Sequence, residues 1–382
     1  MKILFISYNL GRTASGIVSE RVLRGLIEGG NDVKVITAEN AALDIECEIN
    51  ELSSFLKQGS VLYRLWYYRF LPLFMVDIFN GNVFWRRKAL RCADKILRNW
   101  IPDCIYCRTS PIDPCFVGLK LKSRFSIPLV VNLTDPLPAP LEYVPEGRLR
   151  EKLISDAKTI INGSDAILMG TKQAIDYECR VSEQPSQEKF AVSPDPVPTD
   201  FVVELSPQTS VSINLLYLGS IYGSRNINKL IAVIEKIRIE GIEVTLTICS
   251  EANKSSIQKD FIHYSGWVPD VIPMLSDADI LIDIDGDDMY PLFVSSKLKQ
   301  YLCVDRPILC ITPKNSPASE MLMGMNTVTT CVNDFDAIYG SLKNIINSKC
   351  RIDYNEDRRD LLQILSTKHV VNNLMRLINK LK

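Results

Sequence analysis

The sequence predicts an α/β protein built from two doubly wound parallel-sheet domains. Three observations carry this. Short apolar runs of strand length alternate with amphipathic segments of helical period. A strand, glycine turn, helix and strand occur in that order twice, about 210 residues apart. Between them lies Ser193-Pro194-Asp195-Pro196-Val197-Pro198, where three prolines in five residues break regular structure and form a stiff connector.

The first opening starts with Lys2–Ser7, a buried strand by composition. Asn9–Gly16 is a turn carrying Gly11 and Gly16. Ile17–Glu28 reads as a helix with Val18, Val22 and Leu26 on one face, stopped by Gly29-Gly30. Asp32–Thr37 is the next strand. In such sheets ligands bind beyond the carboxyl ends of the strands, so the Gly11 turn is a candidate binding loop. Gly11 and Gly16 have P-loop spacing, but Ile17-Val18 stands where Lys-Ser/Thr is required. That argues against a nucleotide-hydrolysing P-loop, and the spacing is not that of a dinucleotide fingerprint either.

Asp103–Cys107 and Leu129–Leu133 are further short parallel strands. The second runs into Asn132-Leu133-Thr134-Asp135-Pro136-Leu137-Pro138. Asp135 is therefore a carboxylate at a strand's carboxyl end, a site candidate, and equally an Asp-Pro turn initiator. A helix over about 148–162, strand Ala166–Met169, a helix near 172–179 and strand Phe190–Val192 complete a first domain over 1–195. Beyond the connector, Asn214–Leu218 is a strand, Gly219–Asn226 a turn, Ile227–Ile237 a helix and Glu243–Cys249 a strand. His263-Tyr264 and Ile280–Ile284 continue a second domain over 205–355. Ser295–Leu302 is a serine-capped helix with Leu298, Tyr301 and Leu302 on one face, followed by an apolar strand ending at Ile311. The chain after Ile311 is less legible. A final helix at about 357–382 is expected to pack back on the first domain.

Composition narrows the chemistry. The chain has 382 residues with a formal net charge of −1. No basic excess points to nucleic acid. Eleven scattered cysteines fit reduced thiols in a cytoplasmic protein better than a disulfide framework. Cys104 and Cys107 form a C-x-x-C inside a strand, the wrong setting for redox or zinc chemistry. Only two histidines are present, His263 and His369, so a histidine metal site or dyad is poorly supplied. Met1–Ser7 is too short for a signal peptide, and no uncharged run reaches the roughly 18 residues of a membrane span. Residues 60–91 interleave aromatics such as Tyr63, Trp66, Trp85 and Phe84 with Arg64, Arg69, Arg86, Arg87, Lys88 and Arg91. Such a segment can lie in a membrane interface, as a peripheral contact, or can be a helix pair with buried aromatics and solvated arginines. The acidic loop Asp285-Gly286-Asp287-Asp288 reads as solvated rather than as a metal site.

Two stretches of the second domain suit phosphate. One is the turn Gly219-Ser220-Ile221-Tyr222-Gly223-Ser224-Arg225; the other is Ser295-Ser296-Lys297 at its helix start. A cation on each, with backbone N–H groups, would clamp a diphosphate and stabilise it as a leaving group.

The motifs resemble glycosyltransferase family 4, of the GT-B fold, in the type that builds bacterial surface polysaccharides. The resemblance runs nearly end to end. Gly29-Gly30-Asn31-Asp32-Val33 is similar to the family's "G-H-x-V", and Ser193–Phe201 to its "P-N-G-V-D-x-x-x-F". Leu216–Arg225 resembles "G-R-L-x-x-x-K", and Ser265-Gly266-Trp267-Val268 resembles "x-G-x-V". Ser296–Leu309 resembles "S-K-L-x-E-Y-L-x-x-G-K-P-I-L", the most specific match.

The resemblance implies two Rossmann-like domains facing a cleft and a nucleotide-sugar donor bound by the second. Arg225 and Lys297 would hold the departing diphosphate, with Ser220, Ser295 and Ser296 offering donors. Trp267 and Val268 would border the base, and Gln300 the ribose. Gly11 would face the donor sugar or acceptor. Asp135 would orient or deprotonate the acceptor hydroxyl. No metal or other cofactor is implied, and the acceptor would be a glycan, lipid-linked, at the inner face of the plasma membrane. The departures are specific. Ser220 replaces an arginine. The family's pair of glutamates falls on Leu292 and Gln300. No histidine lies in Val130–Asp135. A nucleotide-sugar epimerase, or a catalytically weakened GT-B protein acting as a partner subunit, are the alternatives.

Overall fold

A computed structural model describes residues 1–381 except 12, 41–43, 54–80, 110, 138–145, 185, 199–202, 206–211, 220, 222–224, 251–258, 267, 269, 287–290 and 349–353. The chain divides into two units, Met1–Pro196 with Thr367–Lys382, and Val197–Ser366.

The first unit opens with β1 (Lys2–Ser7), β2 (Asn9–Leu10), α1 (Ala14–Glu28), β3 (Asp32–Thr37), β4 (Glu39–Asn40) and β5 (Glu48–Glu51). It continues with α2 (Gly81–Leu97), β6 (Cys104–Arg108), α3 (Asp113–Phe125), β7 (Leu129–Leu133), α4 (Arg148–Gly163), β8 (Ala166–Met169), α5 (Lys172–Val181) and β9 (Phe190–Val192). Its sheet has seven strands in the order β5-β3-β1-β6-β7-β8-β9, and every pairing is parallel. Parallel strands covered on both faces need continuous apolar runs, and β6, β7 and β8 are buried at every position.

Helix α1 starts at Ala14 rather than Ile17, because Thr13 caps it: its hydroxyl accepts from the Gly16 N–H at 3.0 Å. The final helix of the sequence reading is two helices. Residues Tyr354–Ile364 stay with the second unit, and Thr367–Lys380 packs on α1 of the first, placing Val371, Leu374 and Ile378 in one core with Val22 and Leu26. Gly25 permits the approach. A Cβ there would lie 2.5 Å from Thr367 Cγ2 and 2.9 Å from Val371 Cγ2. Gly25→Val should therefore destabilise the first unit by about 1–3 kcal/mol through overpacking, despite valine's better helix propensity. Thermal unfolding and protease sensitivity at residues 366–367 would check this; an unchanged melt would show that the helix docks loosely.

Part of the aromatic and basic segment lies on α2, while 60–80 falls outside the described residues. Trp85 is fully buried and stacks obliquely on Tyr8, with ring centroids 5.0 Å apart. Arg86 pairs with the buried Asp113 and lies over the Phe116 ring. Trp85 thus follows the packing reading, whereas Phe84 on the same helix is exposed, and Arg86 joins α2 to α3 instead of facing solvent. Arg87, Lys88 and Arg91 are exposed.

The second unit comprises β10 (Ile213–Leu218), α6 (Asn228–Ile239), β11 (Val244–Cys249), β12 (Ile262–Tyr264), α7 (Ile272–Asp277), β13 (Ile280–Ile284), α8 (Ser296–Tyr301), β14 (Ile308–Ile311), α9 (Pro317–Met321), β15 (Val328–Cys331), α10 (Phe335–Asn347) and α11 (Tyr354–Ile364). The first unit's last helix, Thr367–Lys380, is α12. Six strands lie in the order β12-β11-β10-β13-β14-β15, all parallel. Numbered within the unit this is 3-2-1-4-5-6, the dinucleotide-fold order, whose topological switch point lies between the first and fourth strands. One core face carries Leu230, Ile234, Ile338 and Leu342 from α6 and α10. The other carries Leu275, Leu298, Tyr301 and Ala318 from α7, α8 and α9. Among the described residues, no helix is long and apolar enough to cross a membrane.

Candidate functional site

The switch point of the second unit falls between β10 and β13, and the candidate residues collect at the carboxyl ends of those two strands. Beyond β10, Gly219 holds φ +99°, a conformation that L side chains rarely adopt. A side chain there would also press on Lys297. A Cβ would lie 2.9 Å from Lys297 Cδ and 3.5 Å from Lys297 Nζ. The lysine of α8 thus lies directly against the backbone of the turn after β10.

Lys297 is mostly sequestered. Its side chain is 15% exposed, its Nζ donates to Tyr217 Oη at 3.1 Å, and it sits 4.3 Å from the Tyr217 ring centroid. Asp283, fully buried on β13, is 4.0 Å away. Burial pushes the Lys297 ammonium down to about 8, and neighbouring Arg225 adds to this; Asp283 and Asp285 pull the other way without cancelling it. Asp285, just past β13, is not the solvated carboxylate expected. Burial, with Asp283 beside it, raises its carboxyl to about 6, partly offset by Gly286 N–H, Arg225 and the Thr312 hydroxyl. Thr312 Oγ1 donates to Asp285 Oδ2 at 3.3 Å.

Helix α8 is anchored at both ends. Ser295 is its N-cap, accepting from Leu298 N–H at 3.3 Å and donating to Asp283 Oδ1 at 3.0 Å. The single hydroxyl proton of Ser295 is therefore committed to Asp283. Ser296 is exposed at the first helical position, and Gln300 is half-buried one turn on. Tyr301 is fully buried, and its hydroxyl accepts the Leu218 N–H at 2.8 Å, tying α8 to the end of β10. Val268 packs against the core face shared with Leu298 and Tyr301. Arg225 lies within electrostatic range of both Lys297 and Asp285. Ser220 and Trp267 lie outside the described residues, as do Asp287 and Asp288 of the acidic loop.

The first unit brings a separate group of residues to its strand ends. Gly11, with φ +90°, follows β2. Asp135 is exposed two residues beyond β7, with the Thr134 hydroxyl at 3.5 Å. The protein packed around its inner side and the carboxylate of Asp195 raise the Asp135 carboxyl, against Thr134 and Arg108. Arg108, buried at the end of β6, donates to Asp195 Oδ1 at 3.1 Å. Asp283 and Arg108 carried no motif in the sequence, and Tyr217 and Tyr301 lay within matched stretches without a role of their own. The signal for Asp283 was its register, a carboxylate inside the apolar run Ile280–Ile284.

The fold defined by these two parallel sheets is that of GT-B glycosyltransferases. No family model and no curated protein matches the chain by sequence, but solved structures match over its whole length. The lipopolysaccharide outer core galactosyltransferase WaaB, in its apo form, superposes with a TM-score of 0.64 at 13% identity, covering 100% of both chains. A glycosyltransferase from Rickettsia africae gives 0.65 at 11% identity, covering 99% of this chain and 98% of that one. WaaG, a glycosyltransferase involved in lipopolysaccharide biosynthesis, gives 0.63 at 12% identity, covering 98% and 99%.

Proposed function

We propose that the chain is a glycosyltransferase that moves a sugar from a nucleotide-sugar donor to a cell-surface glycan acceptor, lipid-linked, with retention and without a metal, in the manner of glycosyltransferase family 4. The observation that carries this is the Gly219–Lys297 contact at the switch point, with Arg225 in range. A glycine turn and two cations converge where a diphosphate needs hydrogen-bond donors and positive charge. In this reading Lys297 and Arg225 neutralise the departing diphosphate. Ser296 adds a hydroxyl, and Gln300 accepts from the ribose through its amide oxygen. Asp135 orients the acceptor hydroxyl, its carboxyl raised by burial and by the Asp195 carboxylate beside it.

Titrating UDP-, GDP-, TDP- and ADP-sugars into the protein tests the reading and names the donor. Arg225→Ala should weaken binding of the preferred nucleotide by about 1.5–3 kcal/mol, the worth of hydrogen bonds to a charged group. Unchanged affinity would remove Arg225 from the site. A second reading, a partner subunit that binds nucleotide without transferring, is favoured by Gln300 in place of a glutamate and by the committed Ser295 hydroxyl. Transfer by the isolated protein to a lipid-linked acceptor would decide between them.

A further inference from the structure

We propose that Arg358 of α11 is a positioning residue for the nucleotide-diphosphate site, fixing the short helix that carries Lys297 by gripping the backbone at that helix's carboxyl end. The inference rests on the proposed donor site.

Arg358 is 1% exposed. Its Nε donates to Thr327 Oγ1 at 2.8 Å. Its Nη1 donates to the carbonyls of Tyr301, Leu302 and Val304 at 3.3, 3.4 and 2.6 Å. Its Nη2 donates to the carbonyls of Arg306 and Thr327 at 2.7 and 3.2 Å. The whole donor fork of the guanidinium is spent on one turn of chain and the start of β15. A helix leaves its last carbonyls unpaired and carries partial negative charge there. A buried cation supplied by a distant helix satisfies both.

Helix α8 has six residues, too few to hold its own geometry. Its carboxyl end is held by Arg358, its side by the Tyr301 hydroxyl on Leu218, and its start by Ser295 on Asp283. Lys297 sits one turn from the Arg358 grip and within contact distance of Gly219. Loosening the carboxyl end would let α8 shift and its ammonium swing from Tyr217 toward water. A lysine cannot replace the grip, because three donors on one nitrogen cannot reach carbonyls spread over Tyr301 to Thr327.

The test uses the full-length protein with Arg358→Met and Arg358→Lys. The lysine variant keeps the charge, so it decides the matter if the methionine variant fails to fold. Two measurements are made below the melting temperature: UDP, GDP, TDP and ADP affinity by calorimetry, and the Lys297 titration by NMR of labelled lysine, assigned with Lys297→Met. The expected result is a Lys297 titration moved up toward an ordinary lysine, with affinity reduced on the order of tenfold to a hundredfold. Folded variants with both quantities unchanged would overturn the proposal, as would reduced affinity with an unmoved Lys297 titration. A moved titration in a protein whose wild type binds none of the four nucleotides would uphold the positioning role and overturn the donor-site reading.

Discussion

Lys297→Met should weaken nucleotide-diphosphate binding about tenfold to a hundredfold and, in the same protein, raise stability. The two effects have one cause. Lys297 is held at about 8 because burial outweighs the pull of Asp283 and Asp285. With the side chain 15% exposed, the distance from an ordinary lysine corresponds to an upper bound of about 3 kcal/mol by which the charged form opposes folding. A methionine of similar length keeps the contacts with Gly219 and Tyr217 and removes that opposition. The melting temperature should rise by several degrees, at about 2–4 °C per kcal/mol for a unit of this size. Wild type should also gain stability between about pH 8 and about 10.4. In that window the unfolded chain holds more protons than the folded one, so stability rises with pH. Lys297→Met should lose that rise. A melting temperature that falls would mean that the lysine's pairing with Asp283 outweighs its burial.

Gly219→Ala should lower stability and affinity together. The φ of +99° costs an alanine about 1–3 kcal/mol, and the added Cβ, 2.9 Å from Lys297 Cδ, displaces the lysine. The two contributions separate in a double-mutant cycle. In the Lys297→Met background the strain remains while the electrostatic loss is already complete, so the affinity effects should be strongly non-additive. Additive effects would show that the turn and the lysine act independently.

These two residues also show what could be read in advance. The serine-lysine pair and the glycine turn were legible as separate phosphate-suited motifs, because capping and turn chemistry are local in sequence. Their pairing as one diphosphate clamp was also expected, but the direct contact of Lys297 with Gly219 was not, because it depends on β13 lying beside β10, and strand order is a non-local property. Asp283 escaped notice for the same reason: a carboxylate inside an apolar run acquires meaning only when Ser295 and Lys297 arrive beside it. Helical periodicity placed most helices of both units. It missed the break at Ser366, since apolar residues continue at helical spacing through it. Edge strands β5 and β15 lacked continuous apolar runs, β5 being half-exposed along its length. Arg358 gave no local signal, because its partners lie up to 57 residues away.

The division of the chain has a consequence for synthesis. The first unit needs α12, made after the whole second unit, to cover α1 through Gly25, Val371 and Leu374. The second unit is complete once residue 366 has emerged, and its ends already meet there, Val197 N–H donating to the Leu365 carbonyl at 2.9 Å. On the ribosome the unit begun earlier therefore closes after the one inserted within it, its α1 flank left open while the inserted unit closes on itself.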